Sequence, residues 1–291
     1  MNRMTKGEKV FEVVNVTIMM FMMIACAYPF LYIAFASFSK PAELMAFNGI
    51  LLRPLGFSID AYKEVLKNKM LGISYVNTLI YVSVGTAFSV MMTSMGAFIL
   101  SRDDFKLKKF INIIVVITMF FSGGLIPFYL ILKSLGFVNS RLIMILPTAI
   151  GTWNLMVMRT AFTGIPKSLE EAAYIDGAND LDVFIKIVLP LSKSIIAVMV
   201  LFYGVGIWNS WFNASLFLKD RNLYPLQLYL REILIFSNTD SMMGGAETDR
   251  VAIGETIKYT TIMVATVPIL MIYPFLQKYF VKGVMVGAVK G

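Results

Sequence analysis

The sequence predicts an all-α membrane protein with six transmembrane helices, and three observations carry that prediction. Apolar residues make up 58% of the 291-residue chain and charged residues only 15%, where soluble domains carry about 25%. Mean hydropathy is +0.74, so the chain lacks the polar surface to cover itself in water. The charges are also clustered: Asp, Glu, Lys and Arg are absent from 13–39, 70–101, 110–132, 142–158, 194–218 and 259–277. A helix needs about 20 mainly apolar residues to cross ~30 Å of hydrocarbon, with a working range of ~17–25, and every run reaches that range. The expected spans are 13–39, 72–100, 110–132, 142–160, 183–218 and 259–280, in a single domain covering 1–291.

The first span follows Arg3, Lys6 and Lys9, a charge pattern that imitates a signal peptide, and Ala25-Cys26 imitates a lipoprotein cleavage site. The apolar run continues to Ser39, well past a signal-peptide core of ~7–15 residues. It therefore reads as an uncleaved span that Pro29 kinks, with Cys26 as a small packing residue. A lone cysteine permits no internal disulfide. A loop follows from Lys40 to Lys69, with an amphipathic patch over 59–66. The second span is rich in small residues, Ser83, Gly85, Thr86, Ser89, Thr93, Ser94 and Gly96. Lipid tails give helices no hydrophobic reason to pair, so small residues that let backbones approach mark a tight interface.

A charged turn over 101–109 leads to the third span, where Ser122-Gly123-Gly124 and Pro127 predict a break. Unwound backbone at membrane depth survives only where protein or a water-filled cavity covers it. The fourth span holds Pro147, Gly151, Trp153 and Asn154, with Arg159 at its exit. The fifth has Pro190 near its start and Trp208, Asn209, Trp211 and Asn213 at its far end. Aromatics there fit an interfacial belt; tryptophans beside asparagines also suit stacking on sugar rings with hydrogen bonds to hydroxyls. A polar segment follows, with an amphipathic stretch over 226–235 and a Gly244-Gly245 tip. The sixth span carries Pro268 and Pro274, and the tail over 281–291 is basic and glycine-spaced. The 21 methionines read as gap fillers in the spans rather than metal ligands.

Between the fourth and fifth spans lies a polar island over 168–177. Ser168 and Glu171 have the spacing of a capping box, Pro166 suits a helix entry, and Gly177 suits the left-handed turn that ends one. The island reads as a helix of about two turns, too short to be stable alone, so something must pack against it.

The net charge of +8 does not indicate nucleic acid, because the basic residues are scattered over short loops instead of gathered on one face. The chain has no histidine, the commonest metal ligand and proton shuttle, and no G-x-x-x-x-G-K-[ST] phosphate loop. Slightly more than half of the 26 Lys and Arg residues fall on the N-terminal side of the membrane, which favours cytoplasmic termini. An ion-coupled transporter places ionisable groups inside its spans, and the charge-free runs contain none.

Glu171-Ala172-Ala173, then Gly177, then Ile187-Val188-Leu189-Pro190 reproduces the E-A-A-x3-G-x9-I-x-L-P signature of bacterial ABC importer permeases. The chain resembles that family along nearly its whole length, with the signature between spans four and five. Gly287-Ala288-Val289-Lys290-Gly291 and Trp208-Asn209 look like the carbohydrate branch, near the second, maltose-type subunit, and most like permeases for complex oligosaccharides such as pectin- or alginate-derived uronides. The resemblance implies a type I importer fold, a multi-pass protein of the bacterial cytoplasmic (inner) membrane, and alternating access. It implies a homologous permease partner, two ATP-binding subunits that hold ATP and Mg, and an extracellular or periplasmic solute-binding protein, besides the saccharide and membrane lipid. No cofactor or catalytic residue is expected in this chain. Glu171, Ala172, Ala173, Asp176 and Gly177 of the 168–177 coupling helix, with Lys282 and Lys290 of the tail, would meet the ATPases. Trp153, Asn154, Trp208, Asn209, Trp211 and Asn213 are candidates for the substrate path. The rival expectation is a permease of the same kind for a non-sugar solute.

Overall fold

The computed structural model describes residues 5–242, 254, 256–271 and 274. In chain order the first helices are α1 (Lys6–Ser37), α2 (Pro41–Met45), α3 (Asp60–Lys67), α4 (Lys69–Ser101), α5 (Lys108–Phe120), α6 (Leu125–Ser134), α7 (Thr152–Thr163) and α8 (Lys167–Ile175). Then come α9 (Asp180–Val183), α10 (Leu189–Leu191), α11 (Lys193–Trp208), α12 (Phe212–Phe217) and α13 (Leu226–Met242), followed by α14 (Thr256–Met271). The described residues fall into two units, one within Met1–Lys69 and Leu230–Pro268, the other within Met70–Tyr229 and Ile269–Gly291.

In the first unit, α1 opens on a reciprocal cap. The Glu8 N–H donates to Thr5 Oγ1 and the Thr5 N–H donates to the Glu8 carboxylate, so two of the helix's orphan donors are satisfied. The helix runs through Pro29 without interruption. Its large apolar side chains from Val10 to Leu31 are exposed, as suits a helix bathed in lipid. Order gathers at its far end, where Ala36, Leu44 and Leu51 are buried against Tyr32, Phe35, Leu55 and Tyr259. Phe38 stacks between Phe57 and Tyr62, and the Ser39 hydroxyl donates to Phe35 O while accepting from the Leu55 N–H. The loop after the first span is thus folded back onto that span's last turn.

The second unit is organised on α4. One face of this helix buries Ser74, Asn77, Thr78, Gly85, Thr86, Ser89, Thr93, Ser94 and Ala97, the small-residue surface that close packing in lipid requires. A methyl group on Gly85 would lie 2.8 Å from Ile207 Cδ1 of α11, and one on Gly96 would lie 3.2 Å from Leu155 Cδ1 of α7. Polar side chains on the same face satisfy backbone that no helix satisfies. Asn77 Nδ2 donates to the carbonyls of Asn222 and Tyr224, and Asn77 Oδ1 accepts from Arg141. Thr78 Oγ1 accepts from the Leu226 N–H. Phe98, Met158, Phe162, Val183, Phe184, Val188 and Met199 form one buried cluster, and Tyr81, Leu132, Ile143, Phe217 and Leu228 belong to another.

Three of the expected spans differ from continuous helices. The third is broken at 121–124, with α5 and α6 bent by 118° and Gly124 at φ 84°, a conformation open to glycine at little cost. The stretch expected as a fifth span over 183–218 is likewise broken: Asp180–Leu191 meets α11 at 83°, and α12 follows as a separate turn. Phe184–Val188 widens into a π-helical turn just before Pro190, whose ring has no N–H to give and crowds the carbonyl four residues back. The stretch expected as a fourth span over 142–160 begins with a 3-10 turn over Arg141–Met144 and irregular backbone over 145–151; only then does α7 start. Hydropathy records composition and not direction, so it hides these bends.

Replacing Asn77 by Leu leaves the carbonyls of Asn222 and Tyr224 without their donor. Unpaired buried polar groups cost about 1–3 kcal/mol, so thermal unfolding of the detergent-solubilised Asn77→Leu protein is expected several degrees below that of the parent. An unchanged midpoint would show that Asn77 does not hold this loop.

Candidate coupling helix and translocation path

Helix α8 begins two residues earlier than the S-x-x-E spacing predicts, at Lys167 instead of Leu169. Pro166 occupies the position before its first turn, and no side chain caps it. Ser168 and Glu171 both fall inside the helix and are exposed, so the expected capping box does not form. A reciprocal box exists further on, where the Asp182 N–H donates to Asn179 Oδ1 and the Asn179 N–H to Asp182 Oδ2 to start α9. The end of α8 is a Schellman turn. The Gly177 N–H donates to Tyr174 O, the Ala178 N–H donates to Ala173 O, and Gly177 takes φ 82°. This pattern pairs carbonyls that the last turn leaves open.

The nine-residue helix has two unlike faces. Ala173 and, just beyond the helix, Ala178 pack against the cluster around Phe98, Met158 and Phe184. Glu170 turns to the same side. Its carboxylate accepts from Arg102 Nη1 in an ion pair whose side chains are only 18% and 15% exposed. Arg102 Nη2 donates to Tyr174 Oη at 2.5 Å, and Tyr174 Oη donates to Asp180 Oδ1 at 2.6 Å. Burial, and then that bond to Asp180, push the Tyr174 phenol up to about 12 against the pull of Arg102, so it stays protonated and keeps its donor. The opposite face presents Ser168, Glu171, Ala172 and Asp176, with Ile175 87% exposed.

A second tie is more exposed, with Lys167 and Asp103 at 70% and 60%. Asp103 accepts from Lys167 and Lys108, and these ammonium groups, Lys167 first, hold its carboxyl down at about 2. The same bond raises Lys167 above the ordinary lysine value. A depressed Asp contributes above its unfolded pKa and loses that contribution as the pH falls towards about 2. A raised Lys contributes below its unfolded pKa and loses it as the pH rises through the folded value. The tie is therefore intact across the whole neutral range.

The residues expected on the substrate path separate. Asn213 lines a cavity of about 410 Å³ with Thr148, Gly151, Tyr203 and Ser210, beside the irregular backbone over 145–151. Tyr203 Oη accepts from the Gly151 N–H and bonds the Thr93 hydroxyl at 2.6 Å, which fixes the cavity wall to α4. Asn154 is half-buried, with Nδ2 against Gly151, and Trp153 is 64% exposed. Trp208 is buried, edge-on to Tyr75, and lines a different, apolar cavity with Thr86 and Gly204. Asn209 donates back to Val205 O, and Trp211 stands edge-on to Phe212. Lys282 and Lys290 lie outside the described residues.

Residues 93–286 match the family described as binding-protein-dependent transport system inner membrane component. The chain belongs to this family. The permease is 40% identical over 291 residues to the polygalacturonan/rhamnogalacturonan transport system permease protein YtcP of Bacillus subtilis (strain 168), covering 98% of this chain and 99% of that protein. It is also 40% identical to Protein LplC of the same organism, covering 99% and 97%. Its fold matches a crystal structure of a bacterial ABC transporter involved in the import of the acidic polysaccharide alginate, with TM-score 0.87 and 29% identity over 96% of this chain and 100% of that one.

In the permease the E-A-A signature is divided between two faces: Glu171 and Ala172 outward, Ala173 inward. Sequence reading missed Arg102, Glu170, Tyr174 and Asp180, because the ion pair joins residues 68 apart. The only local signal is an arginine directly after an apolar run. It missed Thr148, Tyr203 and Ser210 for a similar reason, since hydroxyls within apolar runs look alike until packing groups them.

The Lys167–Asp103 tie is exposed and the Arg102–Glu170 pair is not, so salt separates them. Raising ionic strength from about 0.1 M to about 1 M shortens the Debye length from about 10 Å to about 3 Å. Hydrogen–deuterium exchange is then expected to rise at the first turn of α8 and to stay level at the Schellman turn. After correction for intrinsic rates, exchange is flat between about pH 5 and pH 9, clear of the ordinary Asp and Lys values. Uniform loosening of α8 by salt would contradict the assignment.

Proposed function

We propose that the permease moves an acidic oligosaccharide, of the pectin- or alginate-derived type, from a solute-binding protein into the cytoplasm by alternating access. Two ATP-binding subunits drive it, and a homologous permease completes the path. The termini and α8 face the cytoplasm. The observation that carries the reading is 40% identity, along nearly the whole chain, to a protein named as a polygalacturonan/rhamnogalacturonan permease.

The geometry of α8 supports the coupling part. A nine-residue helix tied to its own chain on one side leaves Glu171, Ala172, Asp176 and the exposed Ile175 free on the other. Ile175 offers apolar area, Ala172 permits close approach, and Glu171 and Asp176 supply charge at the rim, a fit for a cleft on an ATP-binding subunit. ATP binding closes the two subunits, carries α8 with them and turns the path outward; hydrolysis resets it. Lys282 and Lys290 serve as further ATPase contacts.

The cavity beside 145–151 supports the substrate part. Irregular backbone within a membrane protein belongs where it is buried in protein or lines a water-filled space. Here the lining offers the hydroxyls of Thr148 and Ser210 and the amide of Asn213, on a wall that the Tyr203 hydroxyl fixes through Gly151 and Thr93. The indole of Trp153, exposed on α7, suits stacking on the apolar face of a sugar ring. In this reading Asn209 and Trp211 shape the rim of the path, and Trp208 packs in the separate apolar cavity, instead of touching the sugar.

Reconstitution with the ATP-binding subunits, second permease and binding protein encoded beside it tests both parts. Galacturonide or alginate oligosaccharides are expected to stimulate ATP hydrolysis above neutral oligosaccharides; stimulation by a non-saccharide alone overturns the substrate. Glu171→Arg replaces one of the two negative charges of the outward face by a positive one, and Gly177→Val strains a left-handed position. Each is expected to lower uptake per ATP about tenfold, a loss of the order of a tenfold change in a single contact's equilibrium. Unimpaired uptake in both overturns the role of α8.

A further inference from the structure

Of two adjacent carboxylates of α8, Glu170 is largely buried and Glu171 is exposed, and a single cation decides which is which. Arg102 lies one residue beyond the end of α4, with its side chain 15% exposed. Its guanidinium donates to Glu170 and Tyr174 of α8. Asp104 Oδ1 is 3.7 Å from Nε, and Asp180 Oδ1, at the start of α9, is 4.0 Å from Nη2. The rings of Phe98 on α4 and Tyr174 on α8 lie 5.3 and 5.4 Å from Cζ. A planar fork with five donors suits such a junction; an ammonium group does not match it.

We propose that Arg102 is the positioning residue of the coupling helix: it clamps α8 to the end of α4 and so selects Glu171, not Glu170, for the outward face. The inference rests on the reading of α8 as the ATPase contact. Tyr174 also donates to Asp180, which Arg102 itself approaches; the ties of α8 that do not involve Arg102 or its partners resist rotation weakly. Ala173 and Ala178 give close contact but have no length with which to resist turning. The Lys167–Asp103 pair is 70% and 60% exposed, and exposed pairs are weak and screened. Successive helix residues are about 100° apart, so a turn of that size about the axis of α8 would carry Glu171 to the position Glu170 holds and move Glu170 away from Arg102. With the clamp in place, a displacement of α8 is passed to α4 through Arg102 as well as along the chain to α9.

The test uses the complete transporter in a Cys26→Ser background, with nitroxide labels at Lys106→Cys and Leu169→Cys. The parent is expected to give one narrow distance distribution, and Arg102→Met and the milder Glu170→Gln a broad one. Uptake per ATP is expected to fall about fivefold in each, within the scale of pair interactions between contacting residues. If the two act through one contact, the double variant is no worse than Arg102→Met alone. A narrow distribution in both single variants, or losses that simply add, overturns the clamp. Glu171→Arg in the same assay separates the claims. If it uncouples transport while Arg102→Met does not, the clamp falls and the reading of α8 stands. If Arg102→Met broadens the distribution while neither variant uncouples, the clamp stands and the reading of α8 falls.

Discussion

A peptide group inside a bilayer has no water to bond with, and every interruption of a helix there must find its partners within the protein. That constraint accounts for the composition of α4. Its buried face is polar because it completes hydrogen bonds for segments that are not helical: Asn77 for the carbonyls of Asn222 and Tyr224, Thr78 for the Leu226 N–H, Tyr81 for Leu223 O. Thr93 works at one remove, through the Tyr203 hydroxyl that accepts from the Gly151 N–H. Without this strip the irregular backbone over 145–151 would have an open donor in place of a cavity wall. The small size of the same residues lets α7 and α11 approach, so one surface satisfies both packing and polarity.

Beyond the spans the balance of forces changes. Helix α8 is too short to persist alone, and its apolar contacts are those of alanines. What fixes it is electrostatic, and burial ranks the two ties. Exposed pairs contribute about 0–1 kcal/mol, whereas removing one partner of a largely buried pair costs about 3–5 kcal/mol, because the other charge is left uncompensated. Arg102 belongs to the second class and Lys167 to the first. The permease therefore holds its coupling helix by a strong contact near the helix middle and a weak, salt-sensitive one at its start. Such a helix keeps its orientation while its first turn remains adjustable.

The all-α class was legible because charge-free runs of that length suit the hydrocarbon of a bilayer and little else, and the break at Gly124 because Ser-Gly-Gly followed by Pro gives a helix little reason to continue. The turn at Gly177 was legible for a similar reason, since glycine tolerates the φ that ends α8. The start of that helix was not. An S-x-x-E spacing recurs at i and i+3 inside any helix, so it marks a cap only when the first residue lies outside, and Pro166 had already taken that place. Arg102 and Glu170 are far apart in sequence, and no local pattern reports which of two neighbouring glutamates turns inward. Trp208 shows the converse limit: its position at the end of an apolar run fits a belt, a sugar platform or a core equally well, and packing against Tyr75 chose burial.

The central claim is that α8 gives one face to its own chain and the other to an ATP-binding subunit. Site-directed cross-linking in the assembled transporter measures this directly, with Cys26→Ser removing the native thiol. Ile175→Cys, on the outward face, is expected to cross-link to the ATP-binding subunit with a yield that changes when ATP is added, and Ala173→Cys, on the inward face, is expected not to. Cross-linking through Ala173→Cys, or through neither position, would contradict the account.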